Sequence, residues 1–507
     1  MKGFHPSIQS WFEDRFDSPT AVQSAAWPVI GRGAHVLATA PTGSGKTLTA
    51  FLWALSKFAS GDYAPGATRV LYVSPMKALN NDIARNLSDP LAELQSAYGY
   101  PDLNVRVRSG DTSQSDRQRM LRKPPDILIT TPESLNLMLT TVRGRQALGT
   151  IQAVILDEVH ALIEDRRGVM LLTALERLTE IAGEFQRIAL SATVSPLADV
   201  ARYLAGRDAH GQDREIAIVD APIDKRIEFQ VEFPEAARQA ADQGEPIWNP
   251  LSASFRDVIA GNRSTLFFAN SRMLTEKITL KINEGELAPI AYAHHGSLAR
   301  ELRSEVERRL KDGELDAIVA TNSLELGIDV GELDEVVLVQ SPPSIAATLQ
   351  RIGRAGHQVG AVSRGRLFPT HARDFLDAAV LAKSIEERDL EPLRPLEGPL
   401  DVLAQILVSA TASEARSLDG LYAMLRRSGP YRDLDRVRFD LVVDMLAGRY
   451  PSTDFAELKP RLVWDRERDT LEGRRGAGRL AILSGGTIPD RGLYAVYMGT
   501  GGPRIGE

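Results

Sequence analysis

Apolar positions along this chain fall into two alternating patterns. Short runs carry apolar side chains at consecutive positions: HVLATA (35–40), RVLYVSP (69–75), DILITTP (126–132), AVILDEVH (153–160) and RIALSAT (187–193). Continuous apolarity over so few residues fits strands buried on both faces, the environment of a parallel sheet. Between these runs the spacing is helical, and after the first one Leu48, Phe51, Leu52, Leu55 and Phe58 form a single stripe. Strand then helix, repeated, predicts a doubly wound α/β domain over residues 1–215.

A mixed stretch, about 206 to 250, reads as a connection with an opening strand. A second series follows: STLFFANS (264–271), IAYAHHG (290–296), LDAIVATN (315–322), EVVLVQS (335–341) and GRLFPTH (365–371), with Leu302, Val306 and Leu310 at helical spacing between them. A second α/β domain is therefore expected over 216–390, in tandem with the first and without convincing repetition of its sequence.

Past LEPLRPLEGP (390–399) the pattern changes to helical segments near 400–413, 417–427 and 434–447, then to two short strands around a charged turn in RLVWDRERDTLEGR (461–474). Three helices and a hairpin over 391–475 are the order of a winged helix, and equally of a generic small helical domain. The segment 476–507 holds two strand-like runs and reads as the start of a β-rich domain that stops short, since two strands are marginal alone.

Composition narrows the classes. A chain of 507 residues suggests about three domains. Its net charge of −7 gives no whole-chain hint of a polyanion partner, although a local basic face remains open. The absence of cysteine removes disulfides, thiolate zinc sites and iron–sulfur clusters, and fits a reducing cytoplasm. No signal peptide and no membrane-length apolar run are visible, so no membrane partner is expected.

The first strand leads into ATAPTGSGKTLTA (38–50). In that setting Thr42, Gly43, Ser44, Gly45, Lys46 and Thr47 read as a phosphate loop. Glycines let backbone N–H groups face phosphates, the helix N-terminus favours their charge, Lys46 meets the β and γ phosphates, and the Thr47 hydroxyl is a ligand for Mg²⁺. About a hundred residues on, Asp157 and Glu158 end a strand; Asp157 suits Mg²⁺ and Glu158 suits an attacking water. Together they point to hydrolysis of a nucleoside triphosphate.

These residues head an ordered set that resembles the helicase core of superfamily 2. FDSPTAVQ (16–23), APTGSGKT (40–47), SPMKALNND (74–82), SGDT (109–112), TTPESL (130–135), DEVH (157–160) and SAT (191–193) fall in the first domain; LFFANSR (266–272), ATNSLELGID (320–329) and QRIGRAGH (350–357) fall in the second. Within it, DEVH, MKALNND and QRIGRAGHQ look most like the large-helicase-related (Lhr) family. The resemblance covers essentially the whole chain. It implies two tandem RecA-like domains, a winged helix, and a chain that ends inside a β-barrel-like domain.

The resemblance also implies roles. Gln23 reads adenine, Arg354 is the arginine finger on the γ phosphate, and Gln350, Arg351, Gly327 and Asp329 complete the ATP site. His357 stands where many superfamily members hold an arginine. Lys77, Asn80 and Thr131 in the first domain, and Arg272, Thr321 and Asn322 in the second, are candidates for gripping a nucleic-acid backbone. From the residues alone, each is as easily a loop cap. The expected activity is ATP-dependent 3′-to-5′ movement on single-stranded DNA with unwinding of DNA or RNA:DNA duplexes, in repair. An RNA helicase, or a nucleotide-gated clamp that does not unwind, is the competing expectation.

Other candidates come from composition. The C-terminal arginines Arg426, Arg427, Arg432, Arg436, Arg438, Arg461, Arg466, Arg468, Arg474, Arg475 and Arg479 form either the hidden basic face or a solvated surface among acidic neighbours. Trp464 is the aromatic placed to stack on a base, whereas Trp11, Trp27 and Trp53 read as core. His160, His294 and His295 lack companion ligands nearby in the sequence and read as coupling or packing residues.

Overall fold

The structure is a computed structural model that describes residues 1–41, 43–221, 226–325, 331–356, 362–387, 389–449, 459–488, 496–497 and 504–506. Its first lobe is built on strands β1 (His35–Thr39), β2 (Val70–Val73), β3 (Val105–Arg108), β4 (Ile127–Thr130), β5 (Ala153–Leu156), β6 (Gln186–Ser191) and β7 (Ile216–Asp220). They form one parallel sheet in the order β3-β4-β2-β5-β6-β1-β7. The central strands are buried throughout, and helices cover both faces with separate apolar cores. Strand β5 is central and β1 stands two places from it, so their carboxyl ends open on the same edge of the sheet, the edge where α/β sheets bind ligands.

The second lobe uses β8 (Ile227–Val231), β9 (Thr265–Ala269), β10 (Ala291–His294), β11 (Ala317–Ala320), β12 (Glu335–Val339) and β13 (Ser363–Phe368). This sheet is also parallel, ordered β10-β11-β9-β12-β13-β8, with a core on each face. A strand lies just past the expected division at 215/216. Strand β7 pairs with β1 over His35–Thr39, so the first lobe keeps its sheet through Asp220.

The third unit has helices Leu400–Ala410, Leu418–Arg427 and Arg436–Leu446, with β14 (Arg416–Ser417), β15 (Leu462–Asp465) and β16 (Thr470–Gly473) in a small antiparallel sheet. Helix, strand, two helices and a hairpin make this a winged helix rather than a generic helical domain. A helix also lies just past the expected limit at 475. The helix Ala477–Leu483 packs Ala477 into the same core and Ala481 against it, because its small apolar face fits the helix Leu400–Ala410. Strands β17 (Val496–Tyr497) and β18 (Arg504–Gly506) pair antiparallel at the end of the chain.

A strap joins the three units. Leu390 packs on the second lobe, and Glu391 Oε1 accepts the N–H of Ile345 at 2.7 Å, capping the helix Ile345–Ile352. Leu393 then packs on the first lobe and donates its N–H to Ser195 O at 2.7 Å. Next, the N–H of Arg394 meets Glu164 Oε1 at 2.7 Å, that of Leu396 meets Ile163 O at 3.0 Å, and that of Gly398 meets Pro430 O at 2.9 Å in the winged helix.

Candidate functional site

At the end of β1 the chain turns through Pro41, Gly43 and Gly45 into the helix Lys46–Ala59. Gly43 and Gly45 have φ of 78° and 82°, left-handed values that side chains resist. At Gly45 a Cβ would also lie 2.8 Å from Gln23 Nε2, so that amide would have to shift. Lys46 folds back on its own loop, donating to the carbonyl of Ala40 and to Pro41 O at 3.2 Å. Burial lowers the proton affinity of its ammonium, Glu158 and Asp157 pull it back up, and Arg354 lowers it further. Thr42 lies outside the described residues.

Asp157 follows β5 and faces this loop. Its Oδ1 accepts the N–H of Glu158 at 2.8 Å; its Oδ2 accepts the Tyr72 hydroxyl at 2.6 Å and stands 3.4 Å from Thr47 Oγ1. Burial and the neighbouring Glu158 raise its pKa to about 6. Glu158 is held at φ 49°, a strained value for a residue with a side chain. Burial alone would raise its carboxyl, but Lys46, His160 and Arg354 hold it below the usual carboxylate range. Glu158 Oε2 is buried and accepts no hydrogen bond from a described residue, while His160 Nδ1 lies 3.6 Å away. His160 Nδ1 also accepts the N–H of Ala192 at 3.2 Å and meets Ser191 Oγ at 3.2 Å, which ties DEVH to SAT. Burial keeps this imidazole below its ordinary pKa.

The second lobe contributes one cation to this place. Arg354 is 1% exposed, with Nε and Nη2 on Glu325 O at 3.2 and 2.7 Å. Its charge reaches both Lys46 and Glu158. Arg351 is also buried, bonded to Glu325 Oε2 at 2.9 Å and Asn270 Oδ1 at 3.2 Å. Gln350 sits half-buried on the helix that carries Arg351. Gln23 is buried beside Gly45, its Oε1 accepting the N–H of Thr20 in a capping box. Gly327, Asp329 and His357 lie outside the described residues.

The strand-contact candidates divide. Lys77 pairs with Asp111 at 2.7 Å, joining MKALNND to SGDT on an exposed surface. Asn80 is buried, accepting from Ser74 Oγ at 2.7 Å, and its Nδ2 has no hydrogen-bond partner among the described residues. Thr131 is buried and donates to Ser134 Oγ at 3.2 Å. In the second lobe Arg272 Nη1 donates to Ser297 Oγ at 2.6 Å, Thr321 Oγ1 lies 3.5 Å from Ser323 Oγ, and Asn322 opens a short 3₁₀ turn. The histidine readings take concrete form: His294 bonds Ser323 Oγ and Glu307, and His295 bonds Glu276.

Comparison with known proteins matches three family models in succession. The model for DEAD/DEAH box helicase matches residues 20–200, that for Helicase conserved C-terminal domain matches 252–358, and that for Large helicase-related protein, winged helix domain, matches 383–507. The chain belongs to the large-helicase-related family. The Lhr helicase/probable uracil glycosylase of Mycolicibacterium smegmatis is 44% identical over 98% of this chain. The ATP-dependent helicase Lhr-Core of Methanothermobacter thermautotrophicus is 41% identical, again over 98%. The chain spans 35% of the length of the first and 59% of the second. A solved structure of Mycobacterium smegmatis helicase Lhr bound to ssDNA and AMP-PNP superposes with a TM-score of 0.89 at 44% identity, covering 98% of this chain and 64% of that one.

In this Lhr-family chain most of the C-terminal arginines face acids. Arg432 pairs with Asp213, Arg436 with Asp419 and Asp440, Arg438 with Asp435, Arg466 with Asp444, and Arg468 with Asp465. Arg427 reaches Glu176 and Glu180 of the first lobe. These side chains therefore form neutralised pairs and dock the winged helix more than they build a basic face. Trp464 donates to Asp469 at 3.2 Å, and the Arg466 guanidinium covers its ring 4.5 Å from the centroid. Among the described residues no helix is long and apolar enough to cross a membrane.

Proposed function

We propose that this chain is an ATP-dependent DNA translocase and helicase that moves 3′-to-5′ on single-stranded DNA and unwinds DNA or RNA:DNA duplexes, in repair. One arrangement carries the reading: Lys46, Thr47, Asp157 and Glu158 converge where β1 and β5 end, with Thr47 Oγ1 3.4 Å from Asp157 Oδ2, and the charge of Arg354 in the second lobe bears on the same place. A triphosphate bound at this seam would touch both lobes. The ssDNA and AMP-PNP held by the Mycobacterium structure support the same assignment of ligands.

The chemistry follows from the residues. Lys46, freed from the Ala40 and Pro41 carbonyls, neutralises the β and γ phosphates. Glu158, kept ionised by its cationic neighbours and with one oxygen unengaged, orients the attacking water and accepts its proton. Arg354 meets the charge that builds on the γ phosphate, a role worth ~10³–10⁵ in rate. Thr47 and Asp157 present hard oxygens 3.4 Å apart, a donor set that suits Mg²⁺. When bound there, Mg²⁺ supplies charge neutralisation on the phosphates. Nucleotide-driven closing and opening of the lobes, with Lys77, Asn80 and Thr131 on one side and Arg272, Thr321 and Asn322 on the other, would alternate the grip on a strand. Backbone contacts of this kind carry little sequence information.

Steady-state ATPase activity with and without single-stranded DNA or RNA, together with strand displacement on DNA, RNA and hybrid duplexes, tests the proposal. Stimulation by single-stranded DNA with displacement is expected. A DNA-indifferent ATPase, or clamping without displacement, overturns it.

A further inference from the structure

Tyr72 is a buried residue of the nucleotide site that its sequence surroundings disguise. It lies in β2, 0% exposed, between Leu71 and Val73, where a plain hydrocarbon would suffice for packing. Its ring stacks on Phe51, centroids 5.1 Å apart at 26°, and Phe51 belongs to the helix that begins with Lys46. Its hydroxyl donates to Asp157 Oδ2 at 2.6 Å, so the buried polar group is satisfied by the candidate metal-binding carboxylate.

The Asp157 carboxylate is held by two short hydrogen bonds and one long one. Oδ1 is fixed by the backbone N–H of Glu158 and Oδ2 by the phenol, and Oδ2 is also the oxygen that faces Thr47 Oγ1 at 3.4 Å. Without the phenol, Oδ2 keeps only the long contact from the Thr47 hydroxyl at 3.4 Å, and the carboxylate plane is freer to turn about the Glu158 N–H bond. The ring stack makes the anchor rigid, because Phe51 rides on the helix that also carries Lys46 and Thr47. We infer that Tyr72 is a positioning residue that sets the Asp157 carboxylate for Mg²⁺–nucleotide. The inference rests on the nucleotide-site reading above. Groups that orient metal-binding carboxylates typically contribute ~10–100-fold in metal affinity or activity.

The test compares wild type, Tyr72→Phe and Phe51→Leu in the full chain. Binding of a fluorescent ADP analogue is titrated with Mg²⁺ and, separately, in excess chelator, and thermal melting is recorded without ligand. Tyr72→Phe should raise the Mg²⁺ half-saturation by about tenfold and leave chelator-phase binding unchanged, since that rests on Lys46 and the loop. Phe51→Leu loosens the same packing but keeps the hydroxyl. It should lower the melting temperature and raise the Mg²⁺ half-saturation clearly less than Tyr72→Phe does, because the hydroxyl bond to Asp157 remains. An unchanged half-saturation in Tyr72→Phe, or an equal rise in both variants, overturns the positioning role. Failure of wild type to bind the analogue at all would instead sink the nucleotide site itself, a separate outcome.

Discussion

Arg354 and Glu158 belong to different lobes, yet the guanidinium helps hold the carboxyl ionised across the seam. Arg354 itself is positioned by the Glu325 carbonyl, and the helix that precedes it is capped by Glu391. The separation of the candidate base from the candidate finger is therefore set by how the two lobes sit against each other.

Arg354→Ala should leave ATP-analogue affinity within a few-fold of wild type and slow hydrolysis by ~10³ or more, the effect expected of a lost finger. Single-turnover hydrolysis with parallel binding titrations separates the two. Near-normal turnover would mean that another cation reaches the γ phosphate.

Glu158→Gln should bind ATP and turn over ~10²–10⁴ times more slowly, the range for a lost general base. Lys46→Ala should fail earlier, at binding. Equal binding defects in both variants would contradict the division of roles.

Glu176 is fully buried between Arg214, which it meets at 2.9 and 3.0 Å, and Arg187 at 2.9 Å, with Arg427 of the winged helix 3.7 Å away. Glu176→Gln leaves buried guanidinium charge uncompensated and should cost about 3–5 kcal/mol in urea unfolding. It should also loosen the winged helix, read as faster proteolysis after residue 390.

His35 lies beside this network. Burial and then Arg187 and Arg214 lower its pKa from 6.5 to about 4. Its Nδ1 accepts the N–H of Arg187 at 3.1 Å, so the folded state needs the neutral ring. The unfolded chain binds the proton first. The contribution of His35 is therefore complete above pH 6.5 and lost as the pH falls toward 4, up to about 3 kcal/mol. Unfolding midpoints measured across this window should fall in wild type and fall less in His35→Gln.

Much of the fold was legible because parallel strands buried on both faces announce themselves as continuous apolar runs. Strand β3 did not: Val-Arg-Val-Arg at a sheet edge alternates, and its valines are only half-buried. Strands β7 and β8 were legible only as a single opening strand without bounds, being edge strands with exposed positions. The phosphate loop and Asp157-Glu158 could be read because their chemistry is local. Tyr72 could not, since a tyrosine in an apolar strand looks like packing until its partner 85 residues away is known. The arginine-rich end left two readings open for a related reason, as Arg427 and Arg432 find acids in another unit.

The docking of the winged helix settles which parts share a frame of reference. Arg177 donates to both Asn136 and Ser409, Thr140 meets Ser409 at 2.6 Å, and a Cβ on Gly429 would stand 2.0 Å from Tyr203 O. So tight a joint leaves little freedom for hinging there. The wing and the phosphate loop then form one chassis, and any stroke is the displacement of the second lobe against it. The eight-residue strap from Glu391 to Gly398 spans both boundaries in a single passage, so any such stroke would have to bend it near Glu391.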